Sequence, residues 1–203
     1  MQKILFSKFT EGSGIIDGFD EKDSWIQTYS GRRFNPLNPN PESIVIQDIA
    51  HSLSLQCRFS GHITEFYSVA QHSVGVSYLC NEKDALYGLL HDASEAYLVD
   101  IPSPLKKSGK FDSYLDFESR MMKAVYDRFQ LTGSEPDSVK KADKLMLNIE
   151  AKSLLSVRSD WQIDSMIAPF KVSGLSPLEA KKLFLRRFAE LTGQDLDIYK
   201  EYY

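Results

Sequence analysis

The amino-acid sequence predicts an all-α fold, a helical bundle preceded by a turn-rich N-terminal segment. Beyond residue 48, apolar residues recur at helical spacing, strand-like alternation is scarce, and proline or glycine separates the helical stretches. The 203 residues are 42% hydrophobic and 12% aromatic, which is enough to bury one core without disulfides. We therefore predict a single domain over residues 1–203, with a turn-rich segment (1–45), a core (46–158) and a C-terminal helix and tail (159–203).

The first 45 residues are rich in turn formers, with glycine at 12, 14, 18 and 31 and proline at 36, 39 and 41. Only two short stretches there, 3–6 and 25–29, have the composition of strands. Helical spacing begins near Asp48, a residue type that favours the N-cap position. We interpret Asp48 as the N-cap of a helix that continues to Cys57.

Three helices in the middle of the chain carry polar residues among apolar ones, and we predict them at 68–79, 83–98 and 137–157. Pro102 and Pro104 end the second of these, because proline does not fit a helix interior. A further helix, at 114–129, is expected to cover the other three.

The last predicted helix begins at a capping box. Ser176 and Glu179 have the spacing at which each side chain accepts a hydrogen bond from the backbone of the other, and Pro177 occupies the first helical position. The helix is expected to run to Leu191 and to stop at Gly193, because glycine readily adopts the left-handed conformation that ends helices.

Charge and composition exclude several classes of partner. The net charge of −4 argues against a broad basic surface for a nucleic acid polymer but allows a local pocket for one phosphorylated small molecule. No stretch approaches the roughly 18 apolar residues of a membrane span, and no signal peptide is predicted, so no membrane partner is expected. Cys57 and Cys80 form no C-x-x-C pattern, and we interpret them as reduced thiols of a cytoplasmic protein.

The chain has only four histidines, at 51, 62, 72 and 91, which makes the search for a reactive site short. At helical spacing, His91, Asp92 and Glu95 share one face, opposite an apolar face. By itself, such a face is typical of a solvated acidic surface. His51 lies among apolar residues in the middle of a predicted helix, where a core position is favoured.

Two polar residues on apolar stripes change this interpretation. His72 lies on the stripe of the helix at 68–79, and Asp143 lies on that of the helix at 137–157. A histidine in this position is more often a core residue, but an unpaired buried carboxylate costs several kcal/mol and needs a partner. If the three helices pack side by side, His72, His91, Asp92 and Asp143 can share one divalent metal ion, whose identity (Co, Mn, Zn, Fe or Mg) the residues leave open.

The order His72, His91-Asp92, Asp143 resembles the signature of the HD superfamily of metal-dependent phosphohydrolases. The stretch from His91 to Lys106 resembles the 5′-deoxynucleotidase branch in particular, and the similarity extends over roughly residues 30 to 155. The segments around 32–34, 48–54, 57–62 and 66–73 also resemble small phage HD hydrolases, some of which remove triphosphate from dATP. The resemblance implies an HD-domain helical bundle.

The resemblance also implies roles for individual residues. His72, His91, Asp92 and Asp143 would be metal ligands, Glu95 the acid–base residue and Asp100 a second carboxylate near the scissile phosphate. Arg58 would hold phosphate and Phe59 would press on the sugar. Because the deoxynucleotidases have tryptophan where this chain has Phe59, selection against ribose stays open.

Two further candidates follow from the residues themselves. His62 lies in a short link after Arg58, where a phosphate contact and a turn position are equally favoured. Lys106 follows the proline turn with Lys107 and Lys110, and we choose it as the candidate for outer phosphates, although a solvated basic loop explains at least two of the three.

Hydrolysis of the 5′ phosphoester of a deoxynucleotide is the favoured function, either of a monophosphate or with release of triphosphate from a dNTP. A cyclic-nucleotide phosphodiesterase is the second hypothesis. Such HD proteins carry extra histidines for a second metal, whereas the four histidines of this chain favour a single-metal site. A non-catalytic metal- or nucleotide-binding helical module is the third, and Glu95 and Asp100 argue against it. The expected partner is a small-molecule nucleotide, and the tyrosines at 199, 202 and 203 are compatible with a homo-oligomer.

Overall fold

The structure is a computed structural model that describes residues 24–156 and 170–198. The predicted strand at 3–6 and the tyrosines at 199, 202 and 203 lie outside the described residues. The described helices are α1 Ile46–Leu55, α2 Val69–Leu79, α3 Ala85–Leu90, α4 Glu95–Leu98, α5 Ser103–Lys106, α6 Asp112–Arg128, α7 Asp137–Leu154 and α8 Pro177–Thr192. Two short antiparallel strands, β1 Ile26–Gln27 and β2 Arg33–Phe34, pair near the N-terminal end, and three 3-10 turns lie at Pro41–Ser43, Arg58–Gly61 and Glu82–Asp84. The prediction of an all-α fold is confirmed.

Helix α2 is the centre of the bundle and packs against α1, α3, α7 and α8. Its residues are buried on several sides and many of them are small, which lets the neighbouring helices approach closely. At Gly75, an added Cβ would lie only 2.7 Å from the Met146 side chain of α7. The end of the Met146 side chain therefore packs directly against α2 at Gly75, and the contact between α2 and α7 brings His72 and Asp143 within reach of each other.

Helix α8 closes the core on one side and begins as predicted. The Ser176 side chain accepts from the backbone of Glu179, and the Glu179 side chain accepts from the backbone of Ser176. Gly193, with φ of 68°, ends the helix in the left-handed conformation. Phe184 and Phe188 are fully buried against the core, so α8 is held by its apolar face as well as by its caps.

The prediction that Asp48 is an N-cap is wrong. The N-cap of α1 is Val45, and Asp48 is the third residue of the helix and is buried. Its carboxylate accepts hydrogen bonds from the backbone N–H of Ser30 at 2.7 Å and from the Ser30 hydroxyl at 2.9 Å. The turn after β1 supplies these donors, and the sequence near Asp48 does not indicate this distant partner.

The predicted single helix at 83–98 is also wrong, since it is divided into α3 and α4. Between them, the backbone N–H of Ala93 donates to Leu90 O and that of Glu95 donates to Asp92 O, both at 3.0 Å. This is the tighter i→i+3 pattern, which rotates successive side chains by roughly 120° rather than 100°. The turn at 91–94 therefore changes the direction of the side chains that the helical wheel had placed on one face.

Two expectations from composition, on membrane-spanning helices and on the cysteines, can be compared with the described residues. None of the described helices is both long and apolar enough to cross a membrane. Cys57 and Cys80 are free thiols, as predicted.

Candidate metal centre

Four side chains from three parts of the bundle converge at one point. His72 comes from α2, His91 and Asp92 from the turn after α3, and Asp143 from α7. The Nε2 atoms of the two imidazoles are 3.3 Å apart, and Asp92 Oδ2 lies 3.2 Å from His91 Nε2 and 3.6 Å from His72 Nε2. Asp143 Oδ1 lies 3.2 Å from His72 Nε2 and 4.0 Å from His91 Nε2. The structure thus brings together the four residues that the sequence predicts as ligands.

Each imidazole is oriented by a hydrogen bond at its other nitrogen. His91 Nδ1 donates to the carbonyl oxygen of Gly88 at 2.8 Å, and His72 Nδ1 lies 2.7 Å from Glu150 Oε1. Because a carbonyl oxygen only accepts, the proton of a neutral His91 is on Nδ1 and its Nε2 presents a lone pair. Such support at Nδ1 is the usual arrangement for a histidine that binds metal through Nε2.

The donor set fits one divalent cation. Ligands that share an ion at about 2.1 Å lie roughly 3 to 4 Å apart, and the measured separations are 3.2 to 4.0 Å. The donors of His72, His91 and Asp92 all lie within 4.8 Å of one another. The Asp143 side chain is 44% exposed, so one side of the cluster opens to solvent. Two imidazoles and two carboxylates suit several first-row ions.

The cluster is strongly coupled electrostatically. Burial lowers the pKa of His91, but the charge and hydrogen bond of Asp92 outweigh burial and raise that pKa to about 9. Burial raises the pKa of Asp92, but the charge of His91 outweighs it and holds that pKa below its usual range. In the metal-free protein, protons on the imidazoles therefore partly replace the cation.

This coupling predicts how the stability of the metal-free protein depends on pH. A folded-state pKa of about 9 for His91, above the usual value of 6.5, contributes stability that is fully present below pH 6.5 and disappears as pH rises through 9. The lowered pKa of Asp92 contributes only above its unfolded pKa near 3.8, so it does not offset this loss. From His91 alone, we expect the free energy of unfolding in a chelator, measured with urea, to fall by up to about 3 kcal/mol between pH 6.5 and 9. The raised pKa of Glu95 adds to this fall, because the folded protein keeps a proton there that the unfolded chain has lost.

His91→Gln removes the titrating group and keeps a similar volume. The same urea series on this variant is expected to show a clearly smaller fall between pH 6.5 and 9, with the remainder due to Glu95 and His72, whose pKa values are also raised. An equal fall in both proteins would contradict the coupling of His91 with Asp92.

Glu150 belongs to the site and was not predicted. It lies on α7 and is fully buried, and its Oε2 accepts from Arg58 Nη2 at 2.9 Å and from Arg58 Nε at 3.3 Å. Since its Oε1 contacts His72 Nδ1, this carboxylate joins the metal-site histidine to the arginine. The sequence does contain an indication, because Glu150 follows Asp143 by seven residues, two helical turns, on the same face.

Arg58 lies beside the cluster, and Phe59 lies beside Arg58. The guanidinium is mostly buried, and Asp92, Asp143 and Glu150 all raise its pKa. The Phe59 ring centre is 5.5 Å from the guanidinium carbon. Phe59 has φ of 53°, a left-handed conformation that is uncommon for an aromatic residue. Strain of this kind is concentrated at binding and catalytic sites.

Glu95 is the first residue of α4 and is 6% exposed. Its Oε2 has no hydrogen-bond partner among the described residues. Burial, together with the charges of Asp92 and Asp100, raises the pKa of Glu95 to about 10. In the metal-free protein, Glu95 is therefore a carboxylic acid at neutral pH next to the cluster.

A cleft of about 360 Å³ opens over the cluster, and its lining includes His91, Asp92, Glu95, Lys106, Glu118 and Asp143. Lys106 Nζ lies 2.7 Å from Glu118 Oε1 and 3.5 Å from Asp100 Oδ1. The structure thus brings Lys106 to the cleft, with Asp100 beside it at the surface. His62 is exposed and is not among the residues that line this cleft.

No family model matches the sequence. The chain is 40% identical to the uncharacterized protein YfdR of Escherichia coli (strain K12) over 173 residues, which cover 83% of this chain and 96% of YfdR. It is 35% identical to an uncharacterized protein of Rhodobacter capsulatus over 173 residues, which cover 80% of each chain. Neither name states an activity.

Proposed function

We propose that this chain, which belongs to the same family as YfdR of Escherichia coli, is a metal-dependent phosphohydrolase of the HD superfamily that cleaves the 5′ phosphoester of deoxynucleotides. The observation that best supports this proposal is the convergence of His72, His91, Asp92 and Asp143 beside the buried, protonated Glu95. A purely structural ion would not need a neutral carboxylic acid beside it, because such a site closes its own coordination sphere.

The four converging residues would hold the metal ion. When bound, a divalent cation supplies Lewis acidity, which neutralises charge on phosphoryl oxygens and lowers the pKa of water. The open side at Asp143 leaves room for a phosphate above the cluster. The single group of this kind within residues 24–156 and 170–198 supports a site for one ion rather than the two expected of a cyclic-nucleotide phosphodiesterase.

Arg58 supplies fixed positive charge for the phosphate. Its bonds to Glu150 use one N–H of Nη2 and that of Nε, which leaves the two N–H groups of Nη1 and the second of Nη2 to donate to phosphoryl oxygens. Because Glu150 holds the guanidinium in place, little side-chain entropy is lost when phosphate binds. Arg58 then stabilises the negative charge that develops on the phosphoryl oxygens during cleavage.

Glu95 acts as the general acid. Its proton goes to the 5′ oxygen as the bond from that oxygen to phosphorus breaks, and the carboxylate that forms takes a proton back from the attacking water. Burial, the largest cause of the raised pKa of Glu95, favours the protonated form that a general acid needs. Lys106 lies in the lining of the cleft, with Asp100 3.5 Å from its Nζ, and it would contact outer phosphates if a triphosphate is the substrate.

The proposal includes a cytoplasmic location. Free nucleotides are cytoplasmic metabolites, and the free thiols of Cys57 and Cys80 are compatible with a reducing compartment.

A panel of deoxy- and ribonucleoside mono- and triphosphates, incubated with the protein and Mn²⁺ or Co²⁺ and resolved by chromatography, tests the proposal. We expect nucleoside to appear, together with inorganic phosphate or with intact triphosphate, and the second product distinguishes a nucleotidase from a triphosphohydrolase. A chelator should stop the reaction. Survival of every nucleotide with a stoichiometric ion bound would contradict the proposal.

A further inference from the structure

A second cavity, of about 560 Å³, lies next to the metal cleft and shares Glu95 with it. Its walls come from β1 and the following turn, from α1, and from α4. We propose that this cavity binds the nucleoside part of the substrate, with the base against its apolar wall and the sugar near Glu95. This inference rests on the proposed function and adds where the non-reacting end of the nucleotide binds.

The position of Glu95 is the first support. Its Oε2 is buried and lacks a hydrogen-bond partner among the described residues. A buried polar atom of this kind is costly unless a ligand or water satisfies it. Because Glu95 lines both cavities, a ligand with phosphate in one and a sugar in the other would pass directly along this side chain. A nucleotide has this elongated shape.

The cavity wall supplies the second support. Three large apolar side chains that line it are exposed, with Ile26 at 38%, Leu55 at 56% and Val99 at 63%. Apolar residues gathered around one concavity are typical of a ligand site, and the volume lies in the roughly 300–1,000 Å³ range of such sites. The wall also includes Tyr29 and His51, whose rings stack at 3.7 Å and 11°. A flat base fits beside apolar and aromatic side chains of this kind.

The backbone at Val99 is the third support. Val99 has φ of 67°, a genuine outlier for a β-branched residue, and its side chain points out at the cavity. The strained residue therefore presents its exposed side chain to this cavity, and strain of this kind persists where function requires the geometry.

Another cavity, of about 450 Å³, adjoins the metal cleft on the His91 side. Its lining includes Asp127 and Glu135, and no large apolar residue of its lining is among the exposed ones of the described chain. The cavity beside Glu95 has the exposed apolar wall on which the face of a base can lie, so it is the better nucleoside site. The cavity on the His91 side therefore supplies a matched control.

The test compares Leu55→Trp, which fills the proposed cavity, with Ser134→Trp, which fills the other one. Both positions are exposed, so both variants are expected to fold, as circular dichroism and thermal melting would check. The substrates are the best nucleotide of the panel and 2-deoxyribose 5-phosphate, which lacks a base and is measured as substrate or as competitive inhibitor.

We expect Leu55→Trp to raise KM for the nucleotide at least tenfold with a change of less than twofold for the base-free phosphate, and Ser134→Trp to leave both within twofold. A base-specific loss in Ser134→Trp, or equal effects of Leu55→Trp on both compounds, would overturn the nucleoside site while the proposed function stands.

Binding of the four 2′-deoxynucleosides to the wild-type protein, followed by NMR titration, gives a readout independent of turnover. Chemical-shift changes are expected around Leu55 and Val99 and should be lost in Leu55→Trp. If the wild-type protein hydrolyses no nucleotide, the proposed function fails, and this titration still decides whether the cavity binds nucleosides. Absence of chemical-shift changes around Leu55 and Val99 would overturn the nucleoside site.

Discussion

Replacing Asp92 with alanine is expected to abolish stoichiometric metal binding and to lower kcat/KM for the nucleotide by on the order of 10³-fold or more. Asp92 Oδ2 lies 3.2 Å from His91 Nε2 and 3.6 Å from His72 Nε2, so it is close to both imidazoles. Its loss removes one of two negative charges that favour a cation over a proton or water. Metal content by mass spectrometry and steady-state kinetics on the same preparation measure the two effects.

The variant is expected to remain folded. The Asp92 side chain is 20% exposed at the cleft, so truncation leaves no closed cavity in the core. Asp116→Ala is the matched control, because this carboxylate is 65% exposed and pairs with Arg120 on the surface of α6. We expect it to change neither metal content nor turnover.

In the same experiment, Glu95→Gln tests the acid–base role separately from metal binding. It retains all four proposed ligands but cannot donate an acidic proton, so we expect the ion to bind while kcat falls by roughly 10²- to 10⁴-fold. Full turnover in Asp92→Ala would contradict the proposed ligand set. Full turnover in Glu95→Gln would leave the ligand set intact and contradict the acid–base role.

Replacing Glu150 with alanine is expected to give the largest loss of stability, about 3–5 kcal/mol, because it leaves Arg58 buried without its partner. It also removes the acceptor at His72 Nδ1, and loss of such a supporting contact typically lowers metal affinity by about 10- to 100-fold. Urea denaturation of the metal-free protein measures the first effect, and titration with Mn²⁺ or Co²⁺ at a temperature where the variant is folded measures the second.

Two variants show whether Glu150 orients the site or only stabilises the fold. Glu150→Gln keeps the shape of the side chain and one acceptor oxygen, so we expect it to recover much of the stability. We expect its metal affinity to stay reduced, because a neutral amide supports the imidazole less well than a carboxylate does. Glu190→Ala removes an exposed partner of Arg187 and is expected to cost less than about 1 kcal/mol. Unchanged metal affinity in a folded Glu150→Ala protein would assign Glu150 to stability alone.

Several features of this protein follow from the sequence by itself, because they depend on neighbours along the chain. Helical spacing predicts α2, α6 and α7, and the capping box at Ser176 predicts where α8 begins. His72 and Asp143 stand out because each lies on an apolar stripe, where a polar side chain needs a partner. Together with the assumption that the three helices pack side by side, that requirement predicted a site shared with His91 and Asp92.

Other features were decided only by the tertiary structure. Asp48 accepts from Ser30, eighteen residues away, and Glu150 pairs with Arg58, ninety-two residues away. The helix at 83–98 is divided at the turn that carries His91 and Asp92. For the two distant pairs, the physical reason is that a hydrogen bond goes to whichever partner packing brings within about 3 Å, and spacing along the chain does not contain that information. For the divided helix, an i→i+3 turn and an α-helical turn have similar apolar spacing, so periodicity does not distinguish them.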